Sequence, residues 1–169
     1  MSYPHSLDDF CSWLKVTPLS LEIQTVGWVI PTLQTIHIVA IAAVISAALM
    51  VTLRTLGLTA RDQPWTAVAG RFLPVIWRAL PILLCTGLLL ITAEPARSIK
   101  NPAFLLKMVL LLLAITVTGV WRTTASLAAG FWEASAARKR TAKLLAVVFI
   151  SLWAGVIVAG RFIAYVQAS

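Results

Sequence analysis

Four apolar stretches, at residues 26–53, 72–92, 103–121 and 144–161, constrain this chain more than any motif within it. Each is long enough to cross about 30 Å of hydrocarbon at about 1.5 Å per helical residue, and only helices or closed barrels satisfy their backbone in lipid. Of the 169 residues, 60% are apolar and 12% charged, an excess that the water-exposed surface of one small soluble domain cannot absorb. The expected fold is therefore all-α: one multi-pass membrane domain, a four-helix bundle preceded by a short interfacial helix over residues 6–17. A net charge of +8 accompanies this hydropathy, so it does not mark a nucleic-acid-binding domain and has to be read by position.

Read that way, the charge is sided. Arg54, Arg61 and Arg71 stand against Asp62 after the first stretch, and Arg122, Arg138, Lys139, Arg140 and Lys143 stand against Glu133 between the third and fourth. Both regions belong on the cytoplasmic side by the positive-inside rule, where the basic residues can also meet anionic lipid head groups. The N-terminal region, the Glu94 to Asn101 connection and the C-terminus then face outward, with Lys15, Arg97, Lys100 and Arg161 balanced by Asp8, Asp9, Glu22 and Glu94. Apart from Arg161, which ends the fourth stretch, only Arg78 and Lys107 fall inside the stretches. Asp8 and Asp9 occupy the place of the basic region of a signal peptide, so the first span is expected to be retained.

Ahead of that span, Ser6 can cap a helix, Asp9 stands three residues on, and Leu7, Phe10, Cys11 and Leu14 recur on one stripe. Thr17-Pro18 is expected to end it, with Ser20 capping a longer helix through Leu21, Ile23 and Val26. The segment can lie on the membrane surface, close over the bundle or dock an outer protein. Cys11 and Cys85 are far apart and form no CxxC pair, so each is expected to be a small buried residue.

His37 carries the most chemical information, as the only histidine at membrane depth, about 15 Å below the outer end of its span. An imidazole there can ligate haem iron or another metal, relay a proton or bond to a neighbouring helix. His5 is too early in the chain to pair with it readily, and Met50 and Met108 form no evident constellation with it. A second ligand would come from a homodimer partner, from another membrane subunit, or not at all. Lys107 enters the third span near Arg97 and Lys100, where it can pair with Glu94 or, with those two cations, receive haem propionates or an acidic group of a quinone site. Arg78 lies just before Pro81, where it can reach Trp77, Trp121, a carbonyl freed by the proline, or an anionic ligand. Small residues from Ala40 to Ala48, Thr86 with Gly87, Thr118 with Gly119, and Gly155 with Ala159 allow close helix approach. The sequence offers no nucleotide-binding loop, catalytic triad, paired carboxylates or closed zinc site.

Thr17-Pro18-Leu19-Ser20, Thr35-Ile36-His37, Leu53-Arg54 with Leu56-Gly57, and Asn101-Pro102-Ala103-Phe104 followed by Lys107 resemble an uncharacterised family of small four-helix bacterial inner-membrane proteins, over residues 7–122. The arrangement also looks distantly like the membrane domains of cytochrome b561 and copper-resistance D-type proteins, which implies haem or copper chemistry at helix histidines. This chain departs from those in offering a single deep histidine. The function expected is a membrane subunit contributing His37 to a haem b site, with Lys107, Arg97 and Lys100 steadying propionates, and carrying electrons between an outer-facing, periplasmic redox protein and quinone. The alternative is a non-catalytic structural or assembly subunit.

Overall fold

The computed structural model describes residues 6–127, 130–132 and 134–166. His5 and Glu133, both weighed above, lie outside the described residues. The chain forms α1 (Leu7–Lys15), α2 (Pro18–Thr25), α3 (Val29–Leu56), α4 (Trp65–Ala93), α5 (Pro95–Ile99), α6 (Pro102–Leu127) and α7 (Ala136–Phe162). The helices α3, α4, α6 and α7 are long and apolar enough to cross a membrane, and the chain is a multi-pass membrane protein built as an all-α four-helix bundle.

Local chemistry explains the boundaries. Ser6 Oγ accepts from Asp9 N–H (3.2 Å), and Asp8 and Asp9 meet the positive end of α1. Thr17, rather than Ser20, caps α2, with Pro18 at its first position. Ser20 is instead buried and donates to the Thr92 carbonyl on α4 (2.8 Å), while extended backbone at Val26 separates α2 from α3. The expected continuous helix is thus two. Gly57, at φ +76°, ends α3, its N–H donating to the Arg54 carbonyl and Leu58 N–H to Leu53. Ser135 caps α7 through Arg138 N–H, so the basic run from Arg138 to Lys143 is the first part of a helix rather than a connecting loop.

The bundle closes as a ring in which α3 packs on α4 and α7, α6 packs on α7, and α4 and α6 meet most sparsely. Packing is tightest at the end where α3 finishes. Val44, Ala47, Ala48, Ala69, Ala114, Ala142 and Ala146 are buried there, and their small side chains admit the fully buried Trp121 and Phe149. Trp65 and Trp132 each lie 5.2 Å from the Trp121 ring, and Trp65 Nε1 donates to Thr55 (3.0 Å). This cluster explains why α4 starts at Trp65, before the apolar stretch itself. At the other end Asn101 is fully buried: its amide donates to the carbonyls of Ile163 (3.1 Å) and Val166 (2.7 Å), and its oxygen accepts from Ala103 N–H (2.9 Å). One residue thus caps α6 and ties down the end of α7.

Cys11 is buried, whereas Cys85 is exposed on α4, because its position faces away from the bundle axis; the expectation of burial fails there. Removing Trp121 should leave a void the neighbouring helices cannot fill. Trp121→Ala is expected to destabilise the bundle by about 3–5 kcal/mol, against under about 1 kcal/mol for Leu113→Ala on the outer face, read as unfolding midpoints in mild detergent. Equal effects at the two positions would contradict this account of the packing.

Candidate functional site

Tight packing at one end leaves the other splayed. Between α3, α4, α6 and α7, roofed by α5, lies a cavity of about 750 Å³, within the range of roughly 300–1,000 Å³ typical of cofactor and small-molecule sites. Its walls are mostly aliphatic, from residues such as Ile41, Leu80, Leu111 and Ile157. Leu84 and Leu88 of α4 also line it, at 63% and 54% exposure, as does Met108 of α6 at 37%. The cavity therefore opens between α4 and α6, at the bundle's sparsest contact, where two spanning helices face hydrocarbon.

His37 lines this cavity from α3. Its Nδ1 is 2.6 Å from Thr86 Oγ1, and the Thr86 hydroxyl is 2.7 Å from the Ile82 carbonyl. A carbonyl only accepts, so the hydroxyl proton goes to Ile82 and the threonine oxygen accepts from the imidazole. Nδ1 therefore carries the proton and Nε2 keeps its lone pair, the form in which histidine binds a metal. No described residue hydrogen-bonds Nε2. The ring lies against α4 beside Gly87, where a Cβ would stand at ordinary van der Waals distance, 3.6 Å, from His37 Cε1.

Lys107 shares the cavity. It does not pair with Glu94, which instead bonds Arg97 at 2.9 Å. A Cβ at Gly160 would meet Lys107 Cδ at 3.6 Å and Nζ at 3.7 Å, ordinary van der Waals contact, so the lysine stem runs along α7 beside Gly160. Among the described residues the Lys107 ammonium has neither an ion pair nor a hydrogen bond, although it lies in apolar surroundings where an isolated charge is costly. Arg97 and Glu94 also line the cavity.

Two of the expected site residues are elsewhere. Lys100 pairs with Asp8 and ties α1 to the α5 segment, outside the cavity lining. Arg78 is exposed and outside the lining too, and the guanidinium over Trp77 belongs to Arg122, 5.5 Å from the ring centre. The reason is helical phase: Trp77 and Pro81 face the cavity, and Arg78, about 100° further round, does not. The lining comes from α3 to α7, so α1 and α2 pack beside the site without forming its wall.

Sequence reasoning missed three features. Met108 shares the cavity with His37, the Lys107 stem runs beside Gly160, and Thr86 fixes the imidazole. The indole N–H groups of Trp77 and Trp153 are buried without a hydrogen-bond partner among the described residues. The Lys107 ammonium within aliphatic walls suits a ligand bearing an anionic group on an apolar body. No three of His, Cys, Asp and Glu come together among the described residues, so a metal at His37 would need most of its ligands from another group.

The chain belongs to a family of unknown function (DUF6644), whose model matches residues 10–166. No curated protein and no solved structure matches it.

Thr86→Val removes the acceptor that holds the imidazole. In a His5→Gln background, where His37 is the sole histidine, nitrogen NMR of the ring should show Nδ1 protonated in the parent and a mixture of tautomers in Thr86→Val. An unchanged spectrum would mean that the hydroxyl does not set the tautomer.

Proposed function

We propose that this member of the family is a bacterial inner-membrane subunit holding one haem b in its cavity and carrying electrons between an outer-facing redox protein and the quinone pool. The observation that carries the reading is the pairing, in one apolar cavity, of an imidazole whose Nε2 and a lysine whose ammonium have no partner among the described residues. Haem has the complementary features: an apolar macrocycle, iron seeking an axial nitrogen, and anionic propionates. A porphyrin also brings its own ring nitrogens, which answers the absence of a ligand cluster around His37.

In this reading His37 Nε2 would hold the haem iron, with Thr86 orienting the imidazole. Lys107 would meet a propionate, and Arg97, already paired with Glu94, stands nearby at the rim. Bound haem supplies one-electron chemistry. The protein's part is to hold the ring, exclude water with aliphatic walls and leave the α4–α6 side open to the bilayer, the phase from which a quinone would arrive. With the eight basic residues of the two connecting regions placed in the cytoplasm, the cavity lies in the outer half of the bilayer, within reach of a periplasmic partner.

Protein gently purified from membranes should show a Soret band and reduced b-type bands. His37→Ala should lose them while keeping its helicity and elution volume. A well-folded parent without haem would overturn the proposal and leave a structural or assembly role as the better reading.

A further inference from the structure

The reading above leaves the sixth position of the iron unassigned. We propose that the thioether of Met108 fills it, so that one chain supplies both axial ligands; this rests on the haem reading of His37. Two observations carry the assignment: where Met108 stands around the bundle, and how deep it lies.

Around the bundle, His37 projects from α3 and Met108 from α6, and the backbones of these two helices do not approach within 8 Å (Cα to Cα) among the described residues. They are the diagonal pair of the ring, with the cavity between them, and both residues line it. On α6 the lining residues Phe104, Met108, Leu111 and Ile115 recur at helical spacing, which puts Met108 within the stripe aimed at the cavity, while Lys107 is turned toward Gly160.

Depth follows from cross-helix contacts. Thr52 of α3 donates to the Ala146 carbonyl of α7 (3.3 Å), and the two helices are antiparallel. Counting up both from that bond brings His37 level with Gly160 and Arg161. Lys107 lies along Gly160 and Leu110 abuts Gly155, so Met108 falls within about one helical turn of the depth of His37. Met50 lies more than two turns deeper on α3 and is outside the lining, which leaves Met108 as the only methionine in the cavity wall among the described residues. An unbranched thioether with three rotatable bonds, at 37% exposure, has the freedom to turn toward a metal. His and Met together are an established axial pair for haem iron, and the thioether raises its reduction potential relative to a nitrogen ligand.

The test uses the holoprotein purified from membranes and reads its oxidised spectrum. The parent should be low-spin, with the near-infrared charge-transfer band of thioether ligation. Met108→Leu should retain its Soret band and haem content, lose that band, convert fully to high-spin and bind carbon monoxide when reduced. Met108→His should stay low-spin without the band, at a lower potential. A high-spin parent, or a spectrum unchanged in Met108→Leu, would overturn the assignment while leaving His37 as a ligand. A folded parent without haem would overturn both.

Discussion

The uneven packing of the four spanning helices is the constraint on which the rest of this structure depends. Within a bilayer there is no aqueous phase to press apolar faces together, so helices associate where their backbones come close and their side chains fill the space. Alanines at Ala47, Ala48, Ala69, Ala114, Ala142 and Ala146 permit that approach at one end, and Trp121 with its aromatic neighbours fills what remains. At the other end the lining is bulkier and the helices diverge. Asn101 and the Ser20 bond to Thr92 hold that divergence from outside, by fastening connecting segments rather than by filling the centre.

A cavity formed in this way has few polar groups, which makes each of them consequential. The Thr86 hydroxyl follows the common habit of a helical threonine in bonding the carbonyl a turn earlier, and that habit commits its proton. Its oxygen is then only an acceptor, and the imidazole facing it has one tautomer open to it. A residue with no metal-binding character of its own thus decides which nitrogen His37 presents. Lys107 lies in the same cavity, its stem running along α7 beside Gly160.

Much of the architecture was legible in the sequence, because it rests on periodicity and length. The four spans and the cap at Ser6 follow from local chemistry that a single chain displays. The break between α2 and α3 was not legible, since Ser20 looks like a helix cap until Thr92, which it bonds, is known to be beside it. At the site, His37 and Lys107 stood out as polar residues in apolar stretches, and they share the cavity. Their relations were hidden. Glu94 has both Arg97 and Lys107 in reach along the chain, and only the turn through α5 decides between them. Arg78 and Lys107 look alike as intramembrane cations, yet helical phase sends one outward and the other into the cavity. Met108 gave no signal, because a methionine in a membrane helix is ordinary until the helix opposite it is known.

The central claim is that one chain encloses one haem, with His37 turned into its own bundle rather than toward a second copy. The ratio of extractable haem b to polypeptide in the purified protein measures this directly. The account predicts one haem per chain. One haem per two chains would mean that His37 is shared across a dimer, and a folded protein without haem would mean that the cavity serves another ligand; either result would contradict the account.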